Sequence, residues 1–287
     1  MIHHQGEDRM RELIAKTKAG QFRSKPGLIP FLMAGDGGIE VSLAAMLGVR
    51  DAGAVAIELG MPHSDPIADG PLLQASTRRA LSAGFRFADY CELIRKFRTH
   101  EPHLPIVAFG YTNGLYEARG AKGLEQLTAA GADAIALCDM PPEDGVEYQR
   151  ACEHAGLRTV YFVGPNSPDN RLWLADQTAT AFVYAVARRG TTGRATSFDD
   201  SLVSYLQRVR RNGSSPLAVG FGISTAEQVK ELARHADYAV VGSALVEHLA
   251  SVSASHRVSE SCTEQSSAVR DAARHFMEGL TAQETKV

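Results

Sequence analysis

The sequence predicts an α/β fold, a single (β/α)8 TIM barrel with an extra N-terminal helix and a C-terminal helix. Three observations carry that expectation. Short apolar stretches alternate with stretches of helical period along the chain, the order that builds a parallel sheet. Eight such strand-then-helix units can be marked out, enough to close a barrel, whereas an open doubly wound sheet stops nearer about six strands. The length of 287 residues suits one barrel, so residues 1–287 read as one domain.

The elements follow in order. Glu7–Ala19 reads as a helix, with Met10, Leu13, Ile14 and Thr17 on one face and Gly20 after it, placed to close the bottom of the barrel. Leu28–Ala34 (LIPFLMA) is the first strand, and Gly35-Asp36-Gly37-Gly38 turns into a helix over Ile39–Ala52. In the second strand Val55, Ile57 and Leu59 alternate with Ala56, Glu58 and Gly60. Helices are expected over Leu72–Ala83 and Phe87–His100, then a third strand over Pro105–Tyr111. A helix over Gly123–Ala130 leads to the fourth strand, Ala134–Pro141, and a helix over Glu143–Ala155 to the fifth, Leu157–Val163. A short helix near Arg171–Gln177 precedes the sixth strand, Phe182–Ala187, and a polar loop runs from Arg188 to Asp199. Ser201–Arg211 is helical, Leu217–Ile223 the seventh strand, Thr225–Arg234 a helix and Tyr238–Val241 the eighth strand. The serine-rich, weakly patterned stretch 251–267 reads as a mobile connection before a last helix over Ala268–Leu280.

Composition narrows the function class. A net charge of -3 argues against a nucleic-acid footprint. No apolar run approaches the roughly 20 residues of a membrane span. The first twenty residues carry charges throughout and lack the apolar centre of a secretory signal. Cys91, Cys138, Cys152 and Cys262 have no metal-ligand spacing and fit a reducing cytoplasm better than a disulfide framework.

The residues that point to chemistry lie in AVAIELGMPHSDPIADGP, Ala54–Pro71. Strand parity puts Glu58 on the face opposite Val55, Ile57 and Leu59, and a buried carboxylate is costly unless something nearby uses it. Asp69 ends the polar loop that follows. Two carboxylates, one at a strand end and one on the next loop, suit general acid and base work. Spacing alone leaves open that Glu58 is a salt-bridged strand residue and Asp69 a helix N-cap.

Three glycine-bearing segments end the last three strands: Gly190-Thr191-Thr192-Gly193, Gly220-Phe221-Gly222-Ile223-Ser224 and Gly242-Ser243-Ala244-Leu245. Glycine lets backbone N–H groups approach an anion, and a short helix opening at Gly242-Ser243 would aim its positive end at a phosphate. Their common place on the last strands matches the phosphate site of such barrels, with three unrelated turns as the alternative.

ELGMPHSDPIADGP resembles the ELG-P-SDP-ADGP signature of the tryptophan synthase alpha chain family, and later segments match in the same order from roughly Leu28 to Ala250. The resemblance implies the same barrel fold and a lyase of tryptophan biosynthesis that splits indole-3-glycerol phosphate into indole and glyceraldehyde 3-phosphate. It puts Glu58 and Asp69 on the family's two catalytic carboxylates. Among the substrate-binding residues it implies, Tyr111 lies with Asn113 in a Tyr-x-Asn, Asp139 matches the aspartate ending the fourth strand, and Tyr184 a tyrosine beside the cleaved bond. Arg188 stands at the arginine of a closing loop, Phe221 would face the indole, and Gly193, Gly222, Gly242 and Ser243 would hold phosphate. Proton transfers suffice for this reaction, so no metal or organic cofactor is expected. The implied partner is a tryptophan synthase beta chain in an alpha2-beta2 complex.

Three positions depart from the family pattern. Gly37 stands where proline is usual, His63 where phenylalanine is usual, and Arg194 follows Gly193 where a small residue is common. The loops of His63 and Arg194 touch the beta subunit in the family, so these changes bear on partnership rather than cleavage. A free-standing indole-releasing lyase, a non-catalytic regulatory subunit and a sugar-phosphate isomerase are the competing readings, the last opposed by the SDP-ADGP loop.

Overall fold

The structure, a computed structural model, describes residues 8–117, 119–187, 198–220, 222–256 and 262–282. Eight parallel strands close on themselves in chain order: β1 (Gly27–Met33), β2 (Ile57–Gly60), β3 (Ile106–Gly110), β4 (Ala134–Leu137), β5 (Arg158–Val163), β6 (Phe182–Val186), β7 (Leu217–Gly220) and β8 (Tyr238–Val241). β8 returns to pair with β1 along Gly27–Pro30, completing the expected barrel. Around it run α1 (Arg9–Lys18), α2 (Ile39–Asp51), α3 (Pro71–Ser82), α4 (Phe87–His100), α5 (Gly120–Ala130), α6 (Val146–Ala155), α7 (Asp169–Thr178), α8 (Asp200–Arg211), α9 (Ala226–Leu232), α10 (Ser243–His256) and α11 (Cys262–Gly279).

Strand parity divides the apolar residues between two cores. Ile57 and Leu59, with Leu32, Ile106, Ala108 and Leu217, pack outward against the helices. Ile29, Ala56, Val107, Ala136, Phe182 and Val240 form a separate cluster inside the barrel. The small residues among these inner positions leave space for the large ones, which is how a barrel of eight strands fills its interior. Gly220 is a clear case: a methyl group built there would lie 2.3 Å from the Tyr184 hydroxyl. Gly220→Ala is therefore expected to destabilise the chain by about 1–3 kcal/mol through overpacking. Urea denaturation measures this, and an unchanged midpoint would mean that Tyr184 moves aside freely.

The bottom of the barrel is closed by α1. Met10 and Leu13 join the inner cluster, with Phe22 beside them. Thr17 Oγ1 lies 2.5 Å from the Tyr238 hydroxyl, tying the helix to β8. Asp133 gathers the rest of the floor: its carboxylate accepts from Arg9 Nε, Arg98 Nη2 and the Ile106 amide, each at 2.7 Å.

Three details differ from the sequence reading. The helix expected over Glu143–Ala155 is a 3-10 turn at Pro142–Asp144, a break at Gly145, then α6. Gly145 sits where a methyl group would be 2.2 Å from the Tyr161 hydroxyl, so the chain passes close to β5 there. A π-helical turn, Asn113–Glu117, stands between β3 and α5. The stretch 251–267 is helical on both sides of residues 257–261, which lie outside the described residues. Gln265 Nε2 crosses that junction to Ser253 O and Oγ at 3.1 and 2.9 Å. α11 then presses on α2 so closely that a methyl group at Gly48 would lie 2.2 Å from the Arg270 carbonyl oxygen.

Candidate active site

Glu58 points into the barrel from β2, in register with Phe31 on one side and Val107 on the other. It is 2% exposed, and its Oε1 has no hydrogen-bond partner among the described residues. Among the described residues no basic side chain is paired with it. Burial pushes its carboxyl up to about 8. Rings from four strands flank it: Phe31 meets Phe109 edge-on at 5.3 Å, Phe109 meets Phe162 at 6.0 Å, and Phe162 tilts onto Tyr184 at 4.7 Å. Gly60 makes room for this wall, since a methyl group there would lie 2.6 Å from Cζ of Phe31. The Tyr184 hydroxyl is held well above its ordinary range by burial and then by the charge of Glu58.

Asp69 reaches the same mouth from the loop between β2 and α3. The N-cap of α3 is Gly70, with Pro71 in the first helical position, so Asp69 is not the cap that spacing left open. It is 4% exposed, and burial raises its carboxyl to about 6, with a hydrogen bond from Tyr111 pulling the other way. The Ala68 amide donates to the Tyr111 hydroxyl at 3.0 Å, and Gln74 Nε2 donates to the Asp69 carbonyl at 2.9 Å. Asp139 accepts from the Thr112 amide and hydroxyl, both at 2.7 Å, and so fixes the chain just past Tyr111. Asn113 is exposed at the start of the π-helical turn. His63 lies flat on Tyr111, ring centroids 4.9 Å apart and planes 21° off parallel.

The other end of the mouth carries the glycine segments. Gly222 has φ +79°, a left-handed backbone that favours glycine. Gly242 precedes α10, whose first turn closes with Val246 N donating to Gly242 O at 3.0 Å. A methyl group on Gly242 would meet Phe31 Cβ at 3.7 Å, so α10 opens beside an inward ring of β1. The expected short helix is in fact 14 residues long, and Ser243 is its first residue. Arg188, Gly193, Arg194 and Phe221 lie outside the described residues, as does most of the Arg188–Asp199 loop.

Sequence reading missed several contributors. Asp36, on the turn after β1, receives Arg79 Nε and Nη2 at 2.7 and 2.5 Å and Ser76 Oγ at 2.6 Å. This clasp ties α3, and with it the exit of the Asp69 loop, to the end of β1. Phe31, Phe109 and Phe162 had one available signal, the inward parity of their strands. The half-buried Cys138, whose thiol is pushed up by desolvation first and then by Asp139 and Asp69, had none.

At neutral pH this arrangement offers one protonated carboxyl, Glu58, and one largely ionised carboxylate, Asp69. Aromatic walls suit a flat apolar ring, and the start of α10 suits an anion. A proton donor, a proton acceptor, a ring pocket and an anion seat together fit acid–base chemistry on a substrate that carries both a flat ring and a phosphate.

Comparison with known proteins gives a consistent result. Residues 17–275 match a family model described as tryptophan synthase alpha chain. The tryptophan synthase alpha chain of Thermococcus kodakarensis is 41% identical over 224 residues, 78% of this chain and 88% of the relative. That of Alkalilimnicola ehrlichii is 36% identical over 241 residues, 84% of this chain and 88% of the relative. Among solved structures, tryptophan synthase subunit alpha from Legionella pneumophila superposes with TM-score 0.79 at 28% identity, covering 94% of this chain and 98% of that one. A chain of the tryptophan synthase a2b2 complex from Pyrococcus furiosus superposes with TM-score 0.76 at 33% identity, covering 90% and 97%.

Proposed function

The chain belongs to the tryptophan synthase alpha chain family, and from that premise we propose that Glu58 and Asp69 carry its chemistry. The activity is that of a lyase: retro-aldol cleavage of indole-3-glycerol phosphate to indole and glyceraldehyde 3-phosphate, in tryptophan biosynthesis. Glu58 delivers its proton to indole C3, and Asp69 holds the ring N–H so that the positive charge of the protonated ring is stabilised. The Glu58 carboxylate then takes the proton of the glycerol 3′-hydroxyl. The bond from C3 to the side chain breaks, its electrons return to the ring, and the oxygen left behind becomes the aldehyde carbonyl. One carboxyl thus gives a proton and recovers one.

The remaining roles are assigned by their match to the family pattern. Gly222, Gly242 and Ser243 hold the phosphate, with Gly193 assigned there by sequence. Tyr184 stands beside the bond that breaks, and Phe221 is assigned to the ring by sequence. Tyr111 and Asp139 support the Asp69 loop, and Arg188 closes over bound substrate. The observation that carries this reading is the buried Glu58 inside the barrel, whose Oε1 has no hydrogen-bond partner among the described residues and whose carboxyl burial raises to about 8. Residues 1–287 form one domain in this reading. We place the protein in the cytoplasm on its scattered cysteines; among the described residues no helix is long and apolar enough to cross a membrane.

A neighbour of this chain works in an a2b2 complex, and a beta chain is the partner assigned here too. If docking selects an arrangement of the Asp69 and Arg188 loops that the isolated chain populates thinly, the partner must raise the rate. Indole release measured while a beta subunit is titrated in is expected to rise about tenfold or more, a coupling of about 1.4 kcal/mol. Full activity without partner and a flat titration would identify a free-standing lyase instead.

A further inference from the structure

We infer that His63 is a positioning residue for cleavage: stacked on Tyr111, it holds the phenol hydroxyl that anchors the Ala68 amide, one residue before Asp69. The inference rests on the reading of Asp69 as a catalytic carboxylate.

The loop between β2 and α3 is wrapped around one ring. Its first half lays His63 on the face of Tyr111, at 4.9 Å and 21°, and its second half brings the Ala68 amide to the Tyr111 hydroxyl at 3.0 Å. Ala68 is the residue before Asp69, so this bond fixes the backbone from which the carboxylate projects. Tyr111 is a firm post for this wrapping. It is 4% exposed, its carbonyl accepts from the Leu115 amide at 3.0 Å, and Asp139 holds the adjacent Thr112.

The neighbouring turn is shaped to admit the imidazole. Gly114 passes so close that a methyl group there would lie 3.3 Å from His63 Nδ1. Nothing in this arrangement needs a proton on His63. What matters is a flat ring of about this size, which closes one face of Tyr111 and leaves its hydroxyl a narrow range of directions. Removing the ring frees the first half of the loop from its post, and small displacements of a group that must meet a reacting atom are expensive in rate.

The experiment compares His63→Ala, His63→Phe and Asp69→Asn in steady-state indole release by the full chain. His63→Ala is expected to lower kcat by about fivefold to thirtyfold with KM changed less than about twofold, because alignment rather than binding is lost. His63→Phe, which keeps a flat ring, is expected to return kcat to within about twofold of the parent. A kcat for His63→Ala within twofold of the parent overturns the proposal. So does a His63→Phe variant as slow as His63→Ala, which would mean that the imidazole nitrogens matter rather than the stack. Asp69→Asn separates the two levels. If it retains activity, the catalytic reading of Asp69 fails and this inference with it. If it is inactive while His63→Ala runs at full rate, the positioning role alone fails.

Discussion

Glu58→Gln is expected to slow indole release by about 10²–10⁴-fold while leaving the binding of a non-cleavable phosphate analogue unchanged. Glutamine keeps the volume and shape of the side chain, so the ring wall of Phe31, Phe109, Phe162 and Tyr184 stays in place. It cannot transfer a proton. Because burial raises Glu58 to about 8, the parent enzyme holds the acid form at neutral pH, and that form is what the first step consumes. Asp69, raised to about 6, must be ionised to hold the ring N–H. The rate should therefore fall on the alkaline side as Glu58 loses its proton and on the acid side as Asp69 gains one. Turnover and analogue binding measured side by side provide the check. A variant that keeps more than about a tenth of the parent rate would remove Glu58 from the acid role.

The same substitution should change how stability depends on pH. The folded carboxyl of Glu58 titrates near 8, above its ordinary value of 4.5, so the folded state favours the protonated form. Below about 4.5 both folded and unfolded chains carry the proton, and the group contributes its full stability there. As pH rises toward 8 the unfolded chain releases the proton and the folded chain keeps it, so this contribution drains away. Above about 8 the buried carboxylate is charged, and the loss levels off on the order of 3–5 kcal/mol. Glutamine has no such dependence. Glu58→Gln should gain stability relative to the parent between pH 5 and pH 9, with the larger gain at the alkaline end. Other titrating groups are common to both chains and cancel in the difference. Urea denaturation of the pair at pH 5, 7 and 9 measures it, and a constant difference would mean that Glu58 is solvated in the folded chain.

Much of this was legible in the chain itself, because strands and helices announce themselves by period. The alternation of Val55, Ile57 and Leu59 with Ala56, Glu58 and Gly60 was enough to turn Glu58 inward. Eight strand signals, each followed by a helical one, determined a closed parallel barrel, and barrel closure determined that Gly222, Gly242 and Asp69 lie at one end of it. Local sequence could go that far because each of these facts depends on neighbours within a few positions.

Contacts between distant residues depend on closure and register, which no local pattern encodes. The ring wall is drawn from β1, β3, β5 and β6, and its members meet only once the barrel sets their relative heights. Tyr111 comes to Ala68, and Asp36 to Arg79, across more than forty residues of chain. The serine-rich stretch around Ser251 looked unstructured because its pattern is weak. It is helical on either side of residues 257–261, and α11 is held there by its close approach to α2 at Gly48. The sequence by itself determined which carboxylates face inward and what fold holds them. The tertiary structure alone decided that Glu58 Oε1 has no hydrogen-bond partner among the described residues and that the residue before Asp69 is tied to the hydroxyl of Tyr111, since burial and hydrogen-bond geometry are properties of the packed barrel.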